Sequence, residues 1–241
     1  MNRGTFFIIL MTWLSSNVDA EPPAHDCVIL LHGLGRTGLS MKRIESDLQR
    51  RGYDVVNIGY PSQRLSIREL ADDFLPAALA RQPPPPGVRV HFVAHSLGGI
   101  VLRSHLERHA VTNLGRVVML APPNHGSALA DALRRIGLLR RFLGPAFLQL
   151  GTTDQDVPQQ LGPVRFELGV IAGDRTLNPL FSWLIPGPDD GKVSVASTRV
   201  EGMKDFVILH TSHTWMMWRR PVLDQIAHFL ANGRFAPERA P

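Results

Sequence analysis

The chain has 241 residues, 44% of them hydrophobic and 20% charged, with a formal net charge of +5. This is ordinary globular composition, suited to one α/β domain with a sizeable core. A single cysteine, Cys27, excludes an intrachain disulfide, and no CxxC, HExxH or other metal-ligand spacing occurs. Lysines and arginines are dispersed and no nucleic-acid motif is present, so the basic balance reads as a solvated surface. Attraction of an exported basic protein to anionic lipid or envelope polymers is the sharper reading of the same charge.

The N-terminus has the pattern of a signal peptide. Arg3 supplies a positive start, residues 5–14 an apolar run too short for a comfortable membrane span, and Val18-Asp19-Ala20 small residues at minus three and minus one. Cleavage after Ala20 is expected, with export to the periplasm or the medium and a mature domain over 21–241. An uncleaved membrane anchor is the alternative.

Residues 27–31 read as a first core strand that includes Cys27. The strand opens into His32-Gly33-Leu34-Gly35, where a Gly-rich loop lets backbone N–H groups face a cavity. The Leu34 N–H is expected as one oxyanion donor and the Leu97 N–H as the other; a plain glycine turn is the bland reading. His32 is expected to brace this loop. Residues 39–51 form an amphipathic helix with Ile44 and Leu48 inward, and residues 53–60 the next strand. The loop 61–66 borders the site. A helix over 67–80 carries Pro76, which implies a kink or an early stop. The Pro run 83–86 reads as a stiff loop.

The stretch from Val88 to Ile100 organises the chain. Val88, Val90, Phe92 and Val93 mark a buried strand; Leu97, Ile100, Val101, Leu102 and Leu106 then recur at helical spacing. Between them lies Ser96, with Ala94 and Gly98 at minus two and plus two. A sharp strand-to-helix turn needs small residues there, because both neighbours come close to the backbone. Such a turn lifts the serine oxygen above the sheet edge, at the positive end of the following helix.

A further strand, 117–120, leads into Ala121-Pro-Pro-Asn-His-Gly-Ser127. Leu129, Leu133, Ile136, Leu139, Phe142 and Leu143 then form an apolar stripe beside Arg134, Arg135, Arg140 and Arg141. Segment 128–160 is read as a small cap or lid that touches lipid, or else as a surface helix packed on the sheet. Residues 166–172 form a strand before Gly173-Asp174, and the 183–188 loop is expected to help shape the pocket. Next come Pro188-Asp-Asp-Gly-Lys-Val-Ser-Val195, a last strand over 206–209, His210-Thr-Ser-His-Thr-Trp-Met-Met217, and a helix over 222–230. Strands alternating with helices imply a mainly parallel sheet of about six strands with helices on both faces.

A serine hydroxyl is a poor nucleophile at neutral pH. It needs a base within hydrogen-bond reach and a carboxylate to fix that base's tautomer. Ser96, Asp190 and His213 follow one another in the order this topology uses. Asp174 directly follows a strand and is the alternative acid, with Asp189 behind it. His210 is the alternative base. His125 lies on the wrong loop for that role, and His95 is expected to pack beside the turn.

His32-Gly-Leu-Gly, Ala-His-Ser96-Leu-Gly-Gly, Ala-Pro-Pro-Asn-His-Gly-Ser127, Asp190-Gly-Lys-Val and His213-Thr-Trp-Met-Met together resemble the α/β-hydrolase superfamily, and within it the compact bacterial lipases and esterases. The resemblance spans about residues 27–235. Asp190-Gly-Lys-Val is similar to the acid loop of bacterial lipases. What the resemblance implies is hydrolysis of a small-molecule or lipid ester through an acyl-enzyme, without a cofactor. An acyltransferase, amidase or thioesterase would use the same triad. A non-catalytic binding protein on this fold is the reading from another class.

Overall fold

The computed structural model describes residues 26–140 and 142–237. The expected signal peptide and Arg141 lie outside them. Six strands form one sheet: β1 (Cys27–Leu31), β2 (Asp54–Ile58), β3 (Val90–His95), β4 (Leu114–Leu120), β5 (Leu168–Gly173) and β6 (Asp205–Leu209). Their order is β2-β1-β3-β4-β5-β6 and every pairing is parallel. The helices are α1 (Lys42–Arg50), α2 (Ile67–Glu69), α3 (Leu75–Arg81), α4 (Leu97–Arg108), α5 (Ala128–Arg134), α6 (Gly137–Arg140), α7 (Pro145–Leu148), α8 (Val157–Gln160), α9 (Pro179–Trp183), α10 (Val195–Thr198) and α11 (Arg220–Asn232).

Parallel strands buried on both faces read as continuous apolar runs, and β1, β3 and β5 are buried at every residue. Alternate side chains feed two cores. Ile29, Leu31, Phe92 and Met119 meet Ile67, Leu70, Leu97 and Ile100 on one face. Val28, Leu30, Val93 and Val118 meet Ile44, Leu48, Ile226 and Phe229 on the other. Helices α2 to α4 therefore cover one side, and α1 with α11 the other. Because all strands point the same way, the loops after β1, β3, β5 and β6 gather at one edge of the sheet.

Two expectations are corrected. The helix expected over 39–51 starts as a short 3₁₀ turn, Gly38–Met41, which leaves Leu39 76% exposed while Met41, Ile44 and Leu48 are buried. Pro76 neither stops nor ends its helix. A π-helical stretch, Leu70–Phe74, joins α2 to α3, with the Leu75 N–H bonded to Leu70 O five residues back. That longer spacing accommodates the amide the proline ring lacks.

Segment 128–160 forms α5 to α8 rather than one surface helix. Leu129, Ala130, Ala146 and Leu150 are buried, whereas Leu138 and Phe142 are 73% and 76% exposed. Arg134 does not line an outer face: it pairs with Asp131 and Asp156, both at 2.6 Å. The Ser127 N–H donates to Leu150 O at 2.8 Å, so the excursion leaves and rejoins the fold at one point. It packs on the 61–66 loop and α2, with the Ile67 N–H donating to Gln149 Oε1 at 2.8 Å.

Four histidines, His32, His91, His95 and His105, are at most 3% exposed. Burial holds each below the ordinary imidazole pKa of 6.5. The unfolded chain therefore binds these protons more readily than the folded one. Stability is fullest above about pH 6.5 and falls as the pH drops below it, by up to ~1.4 kcal/mol per pH unit for each such group. The urea midpoint is expected to fall steeply between pH 7.5 and 5.5; an unchanged midpoint would show that these rings charge freely in place.

Candidate active site

Ser96 occupies the turn between β3 and α4 with φ 54° and ψ −121°. A non-glycine residue held there stores about 1–3 kcal/mol of strain, which only a fixed environment sustains. The Ser96 N–H donates to Leu120 O at 2.8 Å, and the Gly99 N–H to Ser96 O at 2.9 Å. The small neighbours are a packing requirement. A Cβ on Gly98 would stand 2.7 Å from Leu31 O and 2.8 Å from His32 O, so the first turn of α4 touches the backbone at the end of β1. Ala94 is fully buried under the turn.

The structure brings three expected residues together. His213 Nε2 lies 3.0 Å from Ser96 Oγ, and His213 Nδ1 lies 2.7 Å from Asp190 Oδ2. The Asp190 carboxylate can only accept, so Nδ1 carries the proton and Nε2 is left to accept from the serine hydroxyl. Asp190 is fixed in turn. Its Oδ1 accepts from the Lys192 and Val193 amides at 3.0 and 2.9 Å, and its backbone O from the His213 N–H at 2.9 Å. Asp190 and His213 are buried and Ser96 is half-buried, so of the three only Ser96 is open to solvent to any extent.

The other candidates lie elsewhere. Asp174 pairs with His210 at 3.0 Å in an exposed couple. Asp189 is a structural acid: Oδ1 accepts from the Gly191 N–H at 2.7 Å and Oδ2 from Ser182 Oγ at 2.5 Å, which ties α9 to the acid loop. His125 is exposed, with its N–H bonded to Ser197 O. His32 braces its loop. Its Nδ1–H donates to Gly33 O at 2.8 Å, its Nε2 accepts from the Tyr60 N–H at 3.1 Å, and its ring stacks on Tyr60 at 4.1 Å. The Tyr60 hydroxyl donates to His32 O.

The loop 33–36 runs past Ser96. A Cβ on Gly33 would lie 3.2 Å from Ser96 Cβ, and the Gly35 N–H is held by Ser62 Oγ at 3.0 Å. Leu97 is the first residue of α4, where an amide has no partner within the helix. Neither its N–H nor that of Leu34 donates to a loop or turn carbonyl among the described residues. Also among the described residues, no group of three His, Cys, Asp or Glu side chains could hold a metal ion, and no helix is long and apolar enough to cross a membrane.

Sequence reasoning missed the part played by His95. Its Nε2–H donates to His213 O at 3.1 Å, and the two rings lie 4.7 Å apart. Burial, and then the neighbouring His213, hold it well below the ordinary histidine range, so it is neutral. Its buried Nδ1 has no partner and faces Gly33, where a Cβ would approach to 2.7 Å. One ring thus spaces the loop of His213 from the loop of Leu34. Adjacency to Ser96 was the only signal in the sequence, and it says nothing about a partner 118 positions downstream.

A six-stranded parallel sheet with a serine on the strand-to-helix turn, a histidine after the last strand and an aspartate between them defines the α/β-hydrolase fold. Among solved structures, the chain is similar to lipase BlEst2 of Bacillus licheniformis in mature form, at 22% identity over 83% of this chain and 89% of that one, with a TM-score of 0.66. It is similar to the propeptide form of that lipase at 23% identity over 93% of this chain and 54% of that one, with a TM-score of 0.72. It also resembles phospholipase PlaB of Legionella pneumophila in complex with thio-NAD, at 19% identity over 86% and 62% of the two chains and a TM-score of 0.60. These likenesses are of fold. No family model matches the sequence, and no curated protein is significantly similar to it.

Proposed function

We propose that the protein is a serine hydrolase that cleaves carboxylic esters through an acyl-enzyme on Ser96, His213 and Asp190. The observation that carries the reading is the continuous pair of hydrogen bonds, 3.0 Å from Ser96 Oγ to His213 Nε2 and 2.7 Å from His213 Nδ1 to Asp190. Ser96 Oγ attacks the ester carbonyl carbon as His213 Nε2 takes its proton. Asp190 stabilises the imidazolium. The carbonyl oxygen becomes an oxyanion that the Leu34 and Leu97 amides hold; loss of one such donor costs about 2.7–4 kcal/mol of barrier. His213 returns the proton to the leaving alcohol. It then deprotonates a water, which attacks the acyl carbon and restores Ser96. Names of lipases and a phospholipase among the similar structures agree with this chemistry. A fluorophosphonate probe tests the reading directly: wild type is labelled, and labelling is lost in Ser96→Ala.

The surface around the site favours a lipid ester. Leu39 follows the 33–36 loop, Trp215 lies two residues beyond His213, and α9 with Leu180 and Trp183 is tied to the acid loop by Ser182; all four are more than half exposed. On this reading Leu138 and Phe142, also exposed, add apolar surface from the 128–160 excursion, which would serve as a cap against lipid. Trp183 and Leu180 are 86% and 78% exposed and together offer several kcal/mol of burial at an interface. Leu180→Ser/Trp183→Ser is expected to slow hydrolysis of emulsified tributyrin by roughly tenfold or more, while soluble p-nitrophenyl butyrate is turned over as by wild type. Equal losses on both substrates would count against surface binding. On this reading the enzyme is exported and works on lipid outside the cytoplasm.

A further inference from the structure

Two cationic residues stand on different loops that border the same site. Arg36 closes the turn that carries the Leu34 amide, with its own N–H donating to Gly33 O at 3.3 Å. Gly33 lies against Ser96. Lys192 stands two residues past Asp190; its N–H donates to Asp190 Oδ1 at 3.0 Å and its carbonyl accepts from Ser127 Oγ at 3.0 Å. Both side chains are half-buried. Neither has an ion pair or a side-chain hydrogen bond with another described residue.

The carboxylates nearby are already engaged. Asp190 gives one oxygen to His213 and the other to two backbone amides. Asp189 is held by Ser182 and the Gly191 amide. Burial, and then the Arg36 guanidinium, lower the pKa of the Lys192 ammonium against the opposing pull of Asp190, and both cations weigh against protonation of His95. An anion lying between an ammonium and a guanidinium would be attracted by both and would relieve their mutual repulsion.

We infer that Arg36 and Lys192 form a subsite for an anionic group, so that the ester cleaved at Ser96 carries a negative charge a few bonds from its scissile carbonyl. The inference rests on the ester-hydrolase reading. Arg36 offers a planar fork suited to phosphate or carboxylate, and Lys192 a compact point charge. Two sources supply such a group: the phosphate next to the glycerol esters of a phospholipid, and the free carboxylate of a dicarboxylic half-ester.

The test is a pair of specificity ratios. kcat/KM is measured for dihexanoylphosphatidic acid against dihexanoylglycerol, and for mono-p-nitrophenyl adipate against p-nitrophenyl hexanoate. Wild type is expected to prefer the anionic member of at least one pair by about tenfold or more, and that pair names the source. Arg36→Gln and Lys192→Met each lower this ratio by about tenfold, and Lys192→Glu inverts it. A merely structural role would slow both members alike and leave the ratio unchanged. Wild-type ratios near one in both pairs, or ratios that the substitutions leave alone, overturn the subsite. Failure of the hydrolase reading is seen separately, as a wild type that turns over none of the four esters. Calorimetry then still decides: Ser96→Ala should bind dihexanoylphosphatidic acid about tenfold more tightly than Ser96→Ala/Lys192→Met, and equal binding overturns the inference.

Discussion

Ser96→Ala is expected to turn over p-nitrophenyl butyrate roughly 10⁴- to 10⁶-fold more slowly than wild type while melting at about the same temperature. The two halves of this expectation have separate causes. Ser96 Oγ is the atom within reach of His213 Nε2, at 3.0 Å, and no neighbouring hydroxyl replaces it in that bond. Its loss removes the covalent step. Stability is spared because alanine suffers the φ of 54° as serine does, and because the bonds that fix the turn run through the backbone of residue 96. The ring of His213 stays bonded to Asp190. Activity within tenfold of wild type would refute Ser96 as the nucleophile.

Asp190→Asn should cost about 10³- to 10⁴-fold in kcat, although it replaces one oxygen by one nitrogen. The substituted side chain keeps a carbonyl oxygen for the Lys192 and Val193 amides, so the loop holds its shape. Its NH₂ then faces His213 Nδ1 and donates to it. The imidazole is driven to carry its proton on Nε2, pointed at Ser96 Oγ, where it can no longer accept one. Asp174→Asn is the control. That carboxylate serves the exposed His210, so kcat should stay within about twofold of wild type. Equal losses in the two variants would show that charge near the site, rather than the tautomer of His213, sets the rate.

The parts of this arrangement legible in the sequence are those that sterics or chain order dictate. Gly98 marked the turn at Ser96 because nothing larger fits beside the end of β1, and Ala94 is small and fully buried beneath it. Asp190 and His213 stood in order after it, and the structure brings both into one hydrogen-bonded line. The sheet was legible for a similar reason: apolar runs buried on both faces leave few arrangements besides parallel strands under helices. Segment 128–150 was not, because its apolar stripe runs on past Arg134, where α5 ends, and Ile136 and Phe142 of that stripe are exposed. Nor could the subsite inferred for Arg36 and Lys192 be read. It depends on two loops 156 positions apart meeting at the same sheet edge, and periodicity carries no information about such meetings.

His213 hangs from β6, one of the two edge strands, which pairs with β5 alone. Ser96 rides on β3, clasped between β1 and β4. Base and nucleophile are thus moored to an edge and to the interior of the same sheet, with the His95 bond as a tether between them. Warming frays outer strands before inner ones. The enzyme should consequently fall silent some degrees before it unfolds, and regain activity on cooling as that rim closes again.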